Sequence, residues 1–311
     1  MNMTRGFRVR RTMTAAAISL LAAGCARNAA VAGDDHSGHE TTAASAGTIT
    51  PEHNEQIAQG TALPAGAAEA EARLAASPRH GEWVMVHAGE GDSVRTWVVY
   101  PERRDRAPVV VVVHEIFGLS PWIRAVADQL AADGFVAIAP DLLTSKNIPG
   151  SPLNPNADSA RAAIRTLDHD DVHRQISAAA RYAMALPAAL PRYGVVGFCW
   201  GGVVSFAHAV RAPEVGASVV YYGTSPTAAD LASVRAPVLG LYGENDARVN
   251  ATIAPADSAM RALRKIYEHE TYPGAGHGFL RAQDGQNGAN LAATKRAWPR
   301  TVAWFRRHLA R

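Results

Sequence analysis

The sequence has few cysteines, little net charge and no long apolar run. Only two of its 311 residues are cysteine, so disulfides cannot form the framework of the fold. The formal net charge is +3, and it becomes −1 without residues 1–24, which hold four arginines and no acidic residue. A near-neutral body lacks the basic surface that nucleic acid requires, so we expect no nucleic-acid partner. The remaining composition, 48% hydrophobic and 19% charged, is typical of a globular protein with a sizeable core.

The first 25 residues have the features of an export signal. Four arginines precede an alanine-rich apolar stretch of eleven residues, 14–24, which is too short to span a bilayer. This stretch runs into Leu21-Ala22-Ala23-Gly24-Cys25, which resembles a bacterial lipobox, although the leucine lies four rather than three residues before the cysteine. We therefore expect an exported protein of the bacterial periplasm or envelope. Cys25 is either lipidated, which would anchor the chain to a membrane, or lost in simple signal-peptidase cleavage.

Residues 26–80 are rich in Ala, Gly, Thr, Glu and His and show no sustained apolar period. This composition predicts a flexible linker with a short helix near residues 67–76. Its histidines and carboxylates have no ordered element to hold them, so we predict no metal site there. Residues 81–311 contain no internal repeat and no second core, and they are predicted to form one domain, which we expect to be a monomer.

Strands and helices alternate through this domain. The five consecutive valines at 109–113 indicate a strand buried on both faces of a parallel sheet. A helix follows, with Ser120 as N-cap, Pro121 in its first turn and Gly134 after its end. The pattern predicts an α/β fold, a mostly parallel central sheet with helices on both faces. The other predicted strands are 83–87, 96–100, 135–139, 194–198, 217–222, 237–243 and 266–272, and the other helices are 172–186, 200–210, 253–263 and 291–309.

Cys199 lies where a predicted strand turns sharply into a helix, in Gly197-Phe198-Cys199-Trp200-Gly201-Gly202. This is the nucleophile elbow of the α/β-hydrolase fold with cysteine in place of serine. Glycines are needed beside a nucleophile held at a strained backbone angle. Free N–H groups at the helix start are expected to favour the thiolate. An inert core cysteine is the alternative interpretation.

Two further residues follow in the chain order that this fold requires. Asp246 comes after the strand at 237–243, and His277 comes after the strand at 266–272. Both are predicted on loops at the carboxyl ends of strands, where open α/β sheets build their sites. Each alone would be an ordinary surface residue. Together with Cys199 they predict a Cys-His-Asp triad.

The loop after the valine strand reads His114-Glu115-Ile116-Phe117-Gly118-Leu119. In this fold that loop supplies one N–H of the oxyanion hole and the residue after the nucleophile supplies the other, here Ile116 and Trp200. Glu115 is a carboxylate near the predicted thiol, and it raises the thiol pKa unless it takes the proton itself. A salt bridge at the strand end is the alternative role for Glu115.

Taken together, the chain resembles the dienelactone hydrolase family over residues 83–310. The resemblance implies a hydrolase that opens a lactone through a cysteine acyl-enzyme, with Glu115 taking the thiol proton when substrate arrives. It rests on the two motifs just quoted around Glu115 and Cys199 and on Ala139-Pro140-Asp141-Leu142, Tyr221-Tyr222-Gly223, Gly243-Glu244-Asn245-Asp246 and Gly276-His277-Gly278-Phe279.

The resemblance also implies a site for the substrate carboxylate. Arg281 matches one of the two arginines that the family uses, whereas Ser145 stands in place of the other, with Lys146 beside it. We therefore assign substrate binding to Arg281, Lys146 and Tyr222. A lysine gives a point charge rather than a two-pronged contact, so the departure puts the dienelactone substrate itself in doubt. The polar loop at 144–160 is either a lid over the site or a variable surface loop.

The predicted function is hydrolysis of a small-molecule ester or lactone, with no cofactor implied. A general carboxylesterase or acyl-transfer enzyme would use the same residues on substrates without a carboxylate. A non-catalytic binding protein on the same fold is the third possibility, and it would form no acyl-enzyme with an activated ester.

Overall fold

A computed structural model of the chain describes residues 62–89 and 91–309. Its strands are β1 (Gly81–Gly89), β2 (Asp92–Val99), β3 (Ala107–Val113), β4 (Val136–Pro140), β5 (Ala189–Phe198), β6 (Ala217–Tyr221), β7 (Val238–Asn245) and β8 (Tyr267–Gly276). They form one sheet in the order β1-β2-β4-β3-β5-β6-β7-β8. The pairs β1–β2 and β2–β4 are antiparallel, and the others are parallel.

Helices cover both faces of the sheet. They are α1 (Ala70–Ala75), α2 (Pro121–Ala132), α3 (Ala157–Ile164), α4 (His169–Met184), α5 (Trp200–Arg211), α6 (Ala228–Leu231), α7 (Ala247–Asn250), α8 (Ile253–Ala262) and α9 (Ala289–Leu309). One apolar core lies under α2 and α9, and a second lies under α4, α5 and α8 on the opposite face. The predicted mostly parallel sheet with helices on both faces is confirmed.

Burial on both faces explains the central strands. The valines of β3 are fully buried, since β4 and β5 flank the strand and helices cover both of its sides. Helix α4 begins at residue 169, three residues earlier than predicted, because the Asp168 carboxylate caps it by accepting bonds from the Asp170 and Asp171 N–H groups.

The predicted loop at 144–160 contains more regular structure than its composition indicates. A 3₁₀ turn spans Thr144–Lys146, and α3 begins at residue 157, where the Asn156 side chain accepts a bond from the Ser159 N–H. Only Ala160 and Ile164 of α3 are buried, which is too short an apolar stripe to stand out in the sequence.

Residues 62–80 also differ from the predicted flexible linker. The short helix predicted near residues 67–76 is confirmed as α1, but it is packed against the domain, since its Ala70 is fully buried in the main core. The alanines and glycines of residues 62–80 are typical of a linker, but small side chains also allow close packing against a domain. The export signal with Cys25 and the linker residues 26–61 lie outside the described residues. Within the described part of the chain, no helix is both long and apolar enough to cross a membrane.

Candidate active site

Cys199 occupies the sharp turn between β5 and α5. Its backbone angles, φ 56° and ψ −114°, are strained for a residue with a side chain. A Cβ atom on Gly197 would lie 1.8 Å from the carbonyl oxygen of Gly201, so only glycine fits before the nucleophile position. The predicted elbow geometry is therefore present, and it places the thiol at the start of α5.

Asp246 and His277 meet at the carboxyl edge of the sheet. Asp246 follows β7 and His277 follows β8, and these neighbouring parallel strands pair Asn245 with Gly276. The two side chains therefore start side by side, and His277 Nδ1 lies 2.5 Å from Asp246 Oδ2. The carboxylate is buried, whereas the imidazole is 36% exposed. Asp246 thus orients the ring and leaves its Nε2 edge free to exchange a proton.

The surroundings of Cys199 keep its thiol protonated at rest. Burial raises the pKa of the thiol, and the negative charges of Glu115 and Asp246 act in the same direction. The Trp200 N–H, bonded to the sulfur, and the Arg248 guanidinium oppose them but do not prevail. The N–H at the helix start favours the thiolate as expected, but burial outweighs it, and the net effect is a raised thiol pKa.

Glu115 is a buried carboxyl group in an ion pair with Arg281. Its side chain is 4% exposed, and Oε1 lies 2.8 Å from Arg281 Nε. The Nε–H bond does not point at this oxygen, so the contact is electrostatic rather than a well-formed hydrogen bond. Burial raises the pKa of Glu115 to about 7, although Arg281 lowers it. Glu115 can therefore bind or release a proton near neutral pH.

Phe117 lies between the active site and α3, and it contacts two arginines. The guanidinium carbons of Arg281 and Arg161 are each 4.8 Å from the centre of the Phe117 ring. Arg161 was not predicted as a site residue, because it lies on α3, a helix that begins inside the predicted loop at 144–160 and was not itself predicted. Arg161 is half exposed and pairs with Asp158 one turn away. A second cation thus lies near the one predicted to bind substrate.

The predicted oxyanion-hole residues are held by His114. This imidazole is fully buried, which lowers its pKa and keeps it neutral. Its Nδ1 lies 2.8 Å from the Glu115 carbonyl oxygen, and its Nε2 accepts a bond from the Leu142 N–H. The ring also stacks on Trp200, with centroids 5.6 Å apart. His114 therefore fixes both the loop that carries Ile116 and the Trp200 side chain.

The other predicted substrate-binding residues differ in placement. Tyr222 is fully buried with φ 40°, and its ring centroid is 5.1 Å from that of His277. Among the described residues its hydroxyl group has no hydrogen-bond partner. Lys146 is exposed, and its Nζ is 3.5 Å from the Thr166 carbonyl oxygen on the connection between α3 and α4. Tyr222 therefore lies beside His277, whereas substrate roles for Tyr222 and Lys146 stay predictions.

An eight-stranded, mostly parallel sheet with a nucleophile elbow and an acid–histidine pair at its carboxyl edge defines an α/β-hydrolase. The match to known proteins is more specific, because the family model of the dienelactone hydrolase family fits residues 94–309. The chain belongs to the dienelactone hydrolase family. It is therefore a hydrolase that acts on ester bonds, and the interpretation as a non-catalytic binding protein is not favoured.

Relatives and solved structures agree with this assignment. A Salmonella typhimurium protein named "Putative carboxymethylenebutenolidase" is 32% identical over 266 residues, covering 79% of this chain and 96% of that protein. A Bradyrhizobium protein named "Probable 2-oxo-3-(5-oxofuran-2-ylidene)propanoate lactonase" is 31% identical over 242 residues, covering 73% of this chain and 94% of that protein. The crystal structure titled "Putative Dienelactone Hydrolase" from Klebsiella pneumoniae superposes with a TM-score of 0.65 at 28% identity, covering 73% and 98% of the two chains.

Proposed function

We propose that the protein cleaves an ester or lactone by nucleophilic catalysis, with Cys199, His277 and Asp246 as the triad. The observation that carries this proposal is the 2.5 Å contact between His277 and Asp246 at the same sheet edge as the strained elbow of Cys199. Backbone N–H groups of Ile116 and Trp200 are the proposed donors to the oxyanion. Within the described residues, the Ile116 N–H donates to no backbone acceptor, so it is available to an oxyanion.

Activation of the thiol depends on Glu115. In the resting site Arg281 neutralises Glu115, and the thiol keeps its proton. An anionic substrate group that pairs with Arg281 leaves the Glu115 carboxylate without its cation. The pKa of Glu115 then rises above about 7, because the arginine was lowering it. Glu115 becomes a stronger base beside Cys199 and takes the thiol proton only when substrate is bound.

The chemical steps then follow from the two bases. The thiolate of Cys199 attacks the acyl carbon, the oxyanion forms, and the acyl–oxygen bond breaks to leave a thioester. The departing oxygen takes the thiol's proton from Glu115, which becomes a carboxylate again. His277, oriented by Asp246, then removes a proton from water, and the resulting hydroxide attacks the thioester. The C–S bond breaks, and the His277 imidazolium returns its proton to the departing thiolate of Cys199. No proton or electron pair is left unbalanced at the end of the cycle.

The positive charges of Arg281 and Arg161 beside Phe117 favour an anionic substrate. Arg281 reaches Glu115, and Arg161 lies on the same Phe117 ring, so two cations are available to a carboxylate. The names of the relatives, a butenolidase and a lactonase, support a carboxylated lactone as the substrate class. A general carboxylesterase or acyl-transfer activity on neutral substrates is the alternative, favoured by the missing arginine at Ser145.

Steady-state kinetics on a panel of chromogenic esters and lactones tests the proposal. Cys199→Ala should lower kcat by about a thousandfold or more, as removal of a triad nucleophile does in other enzymes. Cys199→Ser should keep slight activity, since a hydroxyl needs a stronger base than a thiol. The other cysteine provides the matched control, and Cys25→Ala should leave kcat of the purified protein unchanged. Wild-type turnover by the Cys199→Ala variant would exclude Cys199 as the nucleophile.

A further inference from the structure

The stretch before the catalytic domain is anchored to it at both ends. We call residues 62–80 the N-terminal segment. Near its start, the Trp122 indole N–H donates to the Ala65 carbonyl oxygen at 3.1 Å. Near its end, the Arg79 guanidinium makes two bonds, of 3.0 and 2.6 Å, to the buried Asp128 carboxylate of α2. Between these anchors the segment has a fixed course along the domain surface.

That course takes the N-terminal segment directly against the loop that carries Arg281. The Ala67 N–H donates to the Arg281 carbonyl oxygen at 2.9 Å. The Gln283 side-chain amide donates to the Pro64 carbonyl oxygen at 2.9 Å and to the Leu280 carbonyl oxygen at 3.1 Å. The backbone of the predicted substrate-binding arginine is thus bonded to a part of the chain that lies more than 200 residues earlier in sequence.

Other support for the Arg281 loop comes from α9, where the Asn290 side-chain amide donates to the Ala282 carbonyl oxygen at 2.6 Å. An open groove of about 440 Å³ lies between the N-terminal segment and the loop, so the two do not pack solidly against each other there. On the opposite side, the Arg281 side chain reaches Glu115 and lies over the Phe117 ring. The ion pair with Glu115 lacks directed hydrogen-bond geometry, so it does not fix the arginine by itself. The two hydrogen bonds between the N-terminal segment and the loop therefore add a restraint on the backbone that carries the guanidinium.

We propose that the N-terminal segment is a positioning element of the active site, which holds the Arg281 loop so that the guanidinium can exchange between Glu115 and an anionic substrate. This inference rests on the proposed function, since it assigns the segment a role in recognition of the substrate anion. The segment touches none of the triad residues through these bonds. Its loss should therefore affect anionic substrates and spare neutral ones.

The test uses the full chain and two substrates, a carboxylated enol lactone and a neutral ester of similar acyl size. Gln283→Met removes the side-chain donor with little change of volume, and Ala67→Pro removes the N–H that binds Arg281. Lys295→Met, an exposed position on α9, is the matched control. Arg281→Ala gives the full effect of losing the guanidinium. Thermal unfolding of each variant reports any general damage to the fold.

The double variant Gln283→Met/Ala67→Pro should lower kcat/KM for the carboxylated lactone by about tenfold, as expected when both hydrogen bonds between the segment and the loop are lost. Its kcat/KM for the neutral ester should stay within about twofold of wild type. The control Lys295→Met should keep kcat/KM for both substrates within the same range. If the double variant keeps the wild-type preference for the lactone and Arg281→Ala loses it, the inference is overturned and the proposed function stands. A wild-type preference for the lactone in Arg281→Ala would instead contradict the proposed anion recognition.

Discussion

At the scale of single residues, burial and opposing charges around Cys199 set the pKa of its thiol. Burial and Glu115 raise this pKa, while the Trp200 N–H and Arg248 act against them. In the proposed mechanism the resting thiol is thus protected, and its reactivity depends on which partner Arg281 has. A buried carboxyl group with a pKa of about 7 is suited to this exchange, because it can hold either protonation state at neutral pH.

Glu115→Gln should separate thiol reactivity from catalysis. The substitution removes a negative charge beside the sulfur and leaves Arg281 without its partner, so the pKa of the Cys199 thiol should fall. Alkylation by iodoacetamide at pH 7 should then be faster by roughly three- to tenfold, because more thiolate is present. Ester hydrolysis should be slower, since the base that takes the thiol proton is lost.

The pH dependence of alkylation is the measurement that checks this expectation. The curve for Glu115→Gln should lie at lower pH than that of wild type. Glu102→Gln, an exposed carboxylate in a distant ion pair with Arg79, is the control and should leave the curve unchanged. A curve shifted to higher pH in Glu115→Gln would show that Glu115 does not raise the thiol pKa.

At the scale of helices and strands, long periodic elements and the order of motifs were predictable from the sequence. The valine run of β3 predicts a buried strand, because few other structures bury five consecutive β-branched residues. The glycines around Cys199 predict a sharp turn, because the backbone approaches too closely there for a side chain. Helix α3 could not be predicted in this way, because it buries only two side chains. The packing of residues 62–80 could not be predicted either, because their alanines and glycines show no apolar period. Pairing of Arg281 with Glu115 depends on side-chain packing between loops that are far apart in sequence, so the positions of the motifs along the chain do not predict it.

Helix α3 brings Arg161 towards the site, and Arg161→Ala tests its part in substrate choice. If this guanidinium helps to hold a substrate anion, kcat/KM for carboxylated lactones should fall by about three- to tenfold, the loss expected for a half-exposed charged contact. Neutral esters should be hydrolysed as by wild type. Arg165→Ala, at the exposed end of the same helix, is the matched control and should change neither value. Equal losses on both substrate classes would mean that Arg161 only supports the packing of α3.

At the scale of the whole molecule, the catalytic domain follows a sequence with the pattern of an export signal. We propose that the protein is exported to the bacterial envelope and is anchored there through a lipid on Cys25. A cysteine nucleophile outside the cytoplasm is exposed to oxidants, and the protonated resting thiol fits such a location.

Fractionation of a Gram-negative host that expresses the full chain checks this location. The wild-type protein should be found with the envelope, and Cys25→Ala should appear in the soluble periplasmic fraction, because the single acylation site is gone. Cys199→Ala is the control for loss of a cysteine and should stay with the envelope. Unprocessed precursor in the cytoplasm would contradict export, and an unchanged envelope location of Cys25→Ala would contradict lipidation.

The central claim is that Cys199 carries the acyl group during turnover, and rapid-quench mass spectrometry tests it most directly. A lactone substrate should add its full mass to the protein within the first turnover, because ring opening releases no leaving group, and peptide mapping should place the adduct on Cys199. The adduct should accumulate further in His277→Ala if that variant still acylates, since deacylation lacks its base. Turnover with no adduct on Cys199, or with the acyl group on another residue, would contradict the account.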